Sequence, residues 1–276
     1  MNQALTLSFI GGGNMASALA SGLIGKRCGA SDVHVIDVDE SVLARWREQG
    51  VGTAGAPDDT LASQRVWVFA VKPQVMKETV ARCKPFLRPD TLVISIAAGI
   101  TSSTLAGWLG GDMPWTRLVR CMPNTPALIG AGVSGLLALD GVSEDDKAVA
   151  QLLLKAVGEV VWVDNDDRLD AVTALSGSGP AYVFLFLEAL IQGGIDLDLD
   201  PQQSRKLALA TLHGATQLAA LSPEPPATLR ERVTSKGGTT AAALAVFEKQ
   251  GFSTLVQQAM RAAYDRAGEL ATDFAK

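Results

Sequence analysis

Through the first half of the chain, short apolar runs stop at glycine, proline or an acidic residue, and positions with helical spacing follow each one. Thr6-Leu7-Ser8-Phe9-Ile10 ends in Gly11-Gly12-Gly13, after which Ala16, Ala18, Leu19, Ala20, Leu23 and Ile24 line one helical face. Val33-His34-Val35-Ile36 ends in Asp37 and precedes a helix over 40–49. Arg65-Val66-Trp67-Val68-Phe69-Ala70-Val71 is apolar at alternate and intervening positions alike, as a strand covered on both faces must be. It stops at Lys72-Pro73, and proline suits the first turn of the helix predicted over 74–83. Leu92-Val93-Ile94-Ser95-Ile96 ends in Ala97-Ala98-Gly99, a helix follows over 101–109, and Arg117-Leu118-Val119-Arg120 returns as a strand. Strands alternating with helices predict an α/β fold with a doubly wound, mostly parallel sheet, whose ligands collect at the carboxyl ends of the strands. The glycine turn, the Ala70-Val71-Lys72-Pro73 segment and Ala97-Ala98-Gly99 all fall at such ends and should meet in one crevice.

After Val160-Val161-Trp162-Val163 the strand pattern ceases, and from Asp166 onward only helical segments are read, with breaks at Ser176-Gly177-Ser178-Gly179 and Ser235-Lys236-Gly237-Gly238. Two domains are therefore expected, 1–164 with the sheet and 165–276 all helical. The helix over 180–190 is apolar nearly all round and must be covered on every side. A helical domain of this size can hardly enclose it alone, which points to a subunit interface; a central helix in a monomeric bundle is the alternative.

Composition narrows the partners. With 47% hydrophobic and 19% charged residues the chain can bury a core, and a net charge of -5 disfavours nucleic acid. Cys28, Cys83 and Cys121 are odd in number and unpaired in spacing, as expected in a reducing compartment without disulfides or a zinc site. Met1-Asn2-Gln3-Ala4-Leu5 lacks the basic region of a leader, and the uncharged apolar runs read as too short to span a bilayer. A soluble, cytoplasmic protein with no membrane partner is expected.

Gly11, Gly13 and Ala16 form G-x-G-x-x-A between a strand and a helix. In that setting the first glycine allows the turn, the second lets backbone approach a pyrophosphate, and the small third residue permits close helix packing. Asp37, roughly 20 residues further on, is placed to hold an adenosine ribose. A plain strand–turn–helix connection is the alternative. In Arg120-Cys121-Met122-Pro123-Asn124-Thr125-Pro126, two prolines stiffen a loop that offers Asn124 and Thr125 near a nicotinamide; a rigid crossover loop would look the same. Ser176-Gly177-Ser178-Gly179-Pro180 and Thr234-Ser235-Lys236-Gly237-Gly238-Thr239-Thr240 both read as helix starts with free N–H groups, suited to a carboxylate ligand or merely to turns. His34 and His213 lie in separate predicted domains without ligand-spaced partners, so no metal site is expected, and no G-x-S-x-G elbow is present.

Together these motifs resemble the pyrroline-5-carboxylate reductase family. The likeness runs nearly end to end through Phe9-Ile10-Gly11-Gly12-Gly13-Asn14-Met15, Ala70-Val71-Lys72-Pro73, Arg120-Cys121-Met122-Pro123-Asn124-Thr125-Pro126, Ser176-Gly177-Ser178-Gly179-Pro180-Ala181-Tyr182 and Ser235-Lys236-Gly237-Gly238-Thr239-Thr240. The last three are specific, whereas the glycine turn is widespread. The resemblance implies a Rossmann domain followed by a helical dimerisation domain, a homodimer within a ring of dimers, and reduction of 1-pyrroline-5-carboxylate to L-proline by NADPH or NADH. It implies cofactor contacts at Ile10, Gly11, Gly12, Gly13, Asn14, Met15, Asp37, Ala70, Val71, Lys72, Pro73, Ala97, Ala98, Gly99, Met122, Pro123 and Asn124. It places the substrate at Ser178, Pro180, Ser235, Lys236, Gly237, Gly238, Thr239 and Thr240, with the Thr240 hydroxyl toward the ring nitrogen. Two departures stand out. Lys236 replaces the family's proline, and Asp37-Val38-Asp39-Glu40 lacks the small polar or arginine residues that often hold a 2′-phosphate, so NADH is expected to serve at least as well as NADPH. A β-hydroxyacid-type dehydrogenase would need a K-x-x-N helix that is not found; a dinucleotide-binding sensor need not keep the 235–240 loop.

Overall fold

Apolar runs that stop at glycine or proline become the central strands. The computed structural model describes residues 5–275, so the leader reading on residues 1–4 lies outside the described residues. In chain order the first elements are β1 (Leu7–Ile10), α1 (Asn14–Leu23), β2 (Val33–Ile36), α2 (Glu40–Arg47), β3 (Gly52–Ala54), α3 (Asp59–Ser63), β4 (Val66–Phe69), α4 (Pro73–Cys83), β5 (Leu92–Ser95) and α5 (Ser102–Gly110). There follow β6 (Leu118–Met122), β7 (Gly132–Ala138), α6 (Glu144–Lys155) and β8 (Gly158–Trp162). The strands form one sheet in the order β3-β2-β1-β4-β5-β6-β7-β8, parallel throughout except for the antiparallel pair β6 and β7.

Both faces are covered, which is why the central strands have no polar side. Phe9, Val35, Val68 and Ile94 pack with Leu19 and Leu23 of α1 and Leu153 and Leu154 of α6. The intervening residues Ile10, Trp67, Phe69 and Val93 pack with Met76 and Val80 of α4 and with Leu105 and Leu109 of α5. Two strands escaped the hydrophobic pattern. β3 is short and exposed at Gly52, and β7 carries Gly135 where a Cβ would stand 2.7 Å from Val172 Cγ1. α6 also escaped, although Ser143 and Asp146 form a reciprocal capping box at its start.

From Asp166 onward every element is helical: α7 (Asp166–Val172), α8 (Gly179–Asp196), α9 (Pro201–Leu221), α10 (Pro226–Arg232), α11 (Thr239–Lys249) and α12 (Phe252–Phe274). The chain packs as two compact units, one of residues up to Ser178 and from Ala263 onward, the other Gly179–Ala262. The division at 164/165 read from the pattern precedes this packing boundary because α7 stays on the sheet, with Leu169 and Asp170 buried. Within the second unit Phe186 and Phe247 both meet Phe252.

Two expectations are corrected here. The expected break at residues 176–179 is absent: a π-helical turn at Thr173–Gly177 carries α7 into α8. The resulting helix, Asp166–Asp196, has 31 residues and contains an 18-residue stretch of mean hydropathy 1.4, so it is long and apolar enough to cross a membrane by length and composition. The expectation that no run reaches that length counted only uncharged stretches between supposed breaks. None of the 18 residues of α8 is buried within the single chain, so the all-round apolar surface inferred for it is only partly covered there.

His34 is buried in the sheet, its Nδ1 2.7 Å from the Ser8 hydroxyl. Burial lowers its pKa, opposed by the charge of Asp58. The unfolded chain therefore takes up a proton that the folded chain resists, and the stability this leaves above about pH 6.5 is lost as the pH falls through that value. Thermal midpoints should drop between pH 7.5 and 5.5, and drop less in His34→Gln. Equal drops in both proteins would place the acid sensitivity elsewhere.

Candidate functional site

The three glycines after β1 serve three physical purposes. Gly11 has φ +100°, and a Cβ there would lie 2.8 Å from the carbonyl carbon and oxygen of Ala70 at the end of β4. Gly12 donates its N–H to Asp37 Oδ2 at 2.7 Å and accepts from Trp46 Nε1 at 3.0 Å. Gly13 caps α1, and a Cβ there would meet nothing within 4 Å. The first turn of α1 has no acidic residue and no side-chain cap, so its N–H groups and positive dipole end face open space. Ala16 is fully buried in the packing behind them.

Asp37 holds the turn together. Its second oxygen accepts from the Asp39 N–H at 2.9 Å. Beside it opens a cavity of about 240 Å³, walled by Gly11, Val38, Pro57, Val75 and Arg82 among others. The sequence gives no signal for Pro57, Val75 or Arg82 here: 75 and 82 lie two turns apart on one face of α4, but only the fold brings that face beside the end of β2. Of the two arginines of α2, Arg47 is engaged elsewhere. Arg47 pairs with both carboxylate oxygens of Glu40, at 2.6 and 3.1 Å, and its Nε donates to the Thr53 hydroxyl. The bond from Arg47 holds the Glu40 carboxyl below its ordinary pKa, while the Ser41 hydroxyl does the same for Asp39.

The expected strand-end segments do lie along one edge, because β1, β4, β5 and β6 are neighbours in the sheet. Ala70 and Val71 leave β4, Lys72 caps α4 and Pro73 begins it. Ala97 is buried beyond β5, and Gly99 has φ +73° with the Leu270 Cβ 3.0 Å from where its own Cβ would stand. Met122 ends β6, and Pro123 leads to Asn124, whose amide is committed to the scaffold. Its Oδ1 accepts from the Val133 N–H at 2.9 Å, and its Nδ2 donates to the Ser176 carbonyl at 3.1 Å. That carbonyl needs an outside donor because Pro180, four residues on, has no N–H to return to it. The reading of residues 176–180 as a helix start with free N–H groups is thus corrected. Ser178 and Pro180 sit within a continuing helix, and the Ser178 N–H already reaches the Thr173 carbonyl at 2.8 Å. Gly177 is small for a local reason, since a Cβ would lie 2.5 Å from Met122 Cε.

The second unit carries the other loop. The Gly238 N–H closes a turn onto the Ser235 carbonyl at 3.0 Å, with Gly237 at φ +74°. A Cβ on Gly238 would stand 2.5 Å from the Ser235 hydroxyl. Lys236 occupies the second position of this turn, where proline's fixed φ is well suited, so the replacement keeps the turn and loses only stiffness. α11 starts at Thr239 without a side-chain cap, with Thr240 in its first turn.

Conventional reactive groups are muted. Burial pushes the Cys83 and Cys121 thiols up to about 12, far from thiolate chemistry at neutral pH. Among the described residues no group of three His, Cys, Asp or Glu side chains gathers.

Comparison with known proteins gives this geometry a context. The family model for pyrroline-5-carboxylate reductase dimerisation matches residues 166–270, and that for NADP oxidoreductase, coenzyme F420-dependent, matches 6–99. The pyrroline-5-carboxylate reductase of Pseudomonas aeruginosa is 43% identical over 96% of each chain. The solved structure of the Coxiella burnetii reductase superposes with a TM-score of 0.89 at 37% identity, covering 98% of this chain and 99% of the other. A Plasmodium falciparum pyrroline carboxylate reductase with NADP bound gives 0.85 at 28% identity, over 97% and 98% of the two chains.

Glycine substitutions should separate fold from binding. Gly13→Ala should keep its thermal midpoint and lose at least tenfold in dinucleotide affinity, about 1.4 kcal/mol, read by fluorescence titration. Gly11→Ala should lose stability by about 1–3 kcal/mol through its backbone strain and its collision with Ala70.

Proposed function

The chain belongs to the pyrroline-5-carboxylate reductase family, and from that premise we propose how it reduces 1-pyrroline-5-carboxylate to L-proline, the last step of proline biosynthesis, with NAD(P)H. The observation that carries the proposal is the pairing of an uncapped, ligand-ready α1 terminus with an intact 235–240 turn in a chain similar to such reductases along almost its whole length. The residues present fit a dinucleotide: open space beyond Gly13, a carboxylate at Asp37 and an adjoining cavity of about 240 Å³. When bound, the reduced nicotinamide supplies the hydride.

The chain's own work is then to bind and orient. N–H groups of Asn14 and Met15 take the pyrophosphate, with Ile10, Gly11, Gly12 and Gly13 shaping the approach, and Asp37 takes the adenosine ribose. Ala70, Val71, Lys72 and Pro73 border the central part, while Ala97, Ala98, Gly99, Met122, Pro123 and Asn124 position the nicotinamide. The turn of Ser235, Lys236, Gly237, Gly238, Thr239 and Thr240 holds the substrate carboxylate through the backbone N–H groups it leaves free, Ser178 and Pro180 contribute through their side chains, and the Thr240 hydroxyl orients the ring nitrogen. The protonated cyclic imine carries its own electrophile, so positioning supplies most of what the reaction needs. A β-hydroxyacid-type dehydrogenase or a sensor without turnover is separated by one measurement: NADH oxidation should require added pyrroline-5-carboxylate, and neither alternative predicts that.

A dimerisation domain spans residues 166–270, and α8 has no buried residue within one chain. We infer that a second copy, rather than a bilayer, covers this helix in a homodimer, and that dimers build a larger ring. Free cysteines support a cytoplasmic location.

Thr240→Ala should lower kcat by about fivefold or more, corresponding to a hydrogen bond worth about 1 kcal/mol, with dinucleotide affinity unchanged. Loss of dinucleotide binding instead would refute the division of labour between the two units.

Cofactor choice follows from the end of β2. Asp37, Asp39 and Glu40 oppose an added 2′-phosphate, and Arg47 is held by Glu40 and Thr53. The specificity constant for NADH should equal or exceed that for NADPH. A tenfold advantage for NADPH, about 1.4 kcal/mol, would show that a cation such as Arg82 outweighs the acidic cluster.

A further inference from the structure

Arg120 opens the Arg120-Cys121-Met122-Pro123-Asn124 segment, yet its guanidinium points away from any ligand role because it is sealed in protein, at 2% exposure. Nη1 meets Asp166 Oδ1 at 2.5 Å and Nη2 meets Asp170 Oδ1 at 3.1 Å. These carboxylates stand one helical turn apart on α7, on the same face. Asp166 reaches further, accepting from the Ser102 N–H at 3.1 Å and from the Ser102 hydroxyl at 2.6 Å. Ser102 begins α5 directly after the Ala97-Ala98-Gly99 loop, and Arg120 lies two residues before Met122.

The cluster therefore joins the far end of one strand-end loop to the near end of the other. We propose that Arg120, Asp166 and Ser102 form a positioning device that fixes the two nicotinamide-side loops against each other, and so sets the hydride geometry without touching cofactor or substrate. A buried ion group that merely stabilised could as well be apolar, since burying charges returns little net stability. Here the acceptor is shared between a guanidinium and a helix N-terminus, which fixes direction as well as distance. The inference rests on the reading that Ala97, Ala98, Met122, Pro123 and Asn124 position nicotinamide.

The test uses the full-length enzyme. Asp166→Asn keeps the side-chain shape and one acceptor oxygen while removing the charge, and Ser102→Ala removes a single hydroxyl donor if the first variant folds poorly. Expected for Asp166→Asn is a kcat at least tenfold lower, with a smaller loss in Ser102→Ala. A larger primary isotope effect with NADH deuterated at the transferred position should accompany both. Affinity for ADP-ribose, which has no nicotinamide, should stay within twofold. A lowered thermal midpoint with kcat and isotope effect unchanged would reduce the cluster to scaffold and overturn the proposal, as would parallel losses of kcat and ADP-ribose affinity. Ala98→Val, which crowds one loop directly, tests the underlying reading. If it leaves kcat and KM for NADH unchanged, that reading fails; if it lowers kcat while Asp166→Asn does not, the positioning device alone fails.

Discussion

One guanidinium held between two carboxylates ties β6 to α7 and, through Asp166, to the start of α5. Arg120 leaves β6 into the protein interior, and without Asp166 and Asp170 it would be an uncompensated buried charge, a loss of about 3–5 kcal/mol. Burial pushes the Asp170 carboxyl above its ordinary pKa range, against the pull of Arg120. The pair is thus held as a unit, and β6, α5 and α7 inherit a common origin from it. The loops that follow β5 and β6 hang from that origin.

Chemistry that needs little acid or base can be carried by such a scaffold. On the proposed assignment the recognised groups are a pyrophosphate, a ribose, a nicotinamide and a carboxylate, and most of the donors assigned to them are backbone N–H groups at helix starts. Side chains then matter chiefly for where they place backbone. Asp37 shows this directly, since its two oxygens accept from the Gly12 and Asp39 N–H groups.

How much of this was legible depended on whether the cause was local. β4 announced itself because Val66, Trp67, Val68 and Phe69 are buried on both faces, and the glycine turn because strand, turn and helix are contiguous. β7 stayed hidden because Gly135 answers to Val172, a neighbour that exists only after folding. Arg82 joined the cavity beside Asp37 for the same reason, since topology alone brings α4 to β2. Residues 176–180 misled in the opposite direction. Small residues before a proline do look like a helix start, and the donor that lets the helix continue, Asn124, lies 52 positions away. The Ser235 to Thr240 turn was readable because every contact that shapes it lies within the segment.

Asn124 and Pro180 have a bearing on how such a chain can drift over generations. If Pro180 is exchanged first, the incoming residue brings an N–H, Ser176 regains a donor inside its own helix, and the Asn124 amide becomes partly redundant. If Asn124 is exchanged first, the Ser176 carbonyl and the Val133 N–H are both stranded, at about 1–3 kcal/mol for each buried group. One order of substitution strands a single group, the Val133 N–H, and the other strands two. The two positions are therefore coupled through the Ser176 carbonyl, while the Val133 N–H ties Asn124 to its place whichever residue stands at 180.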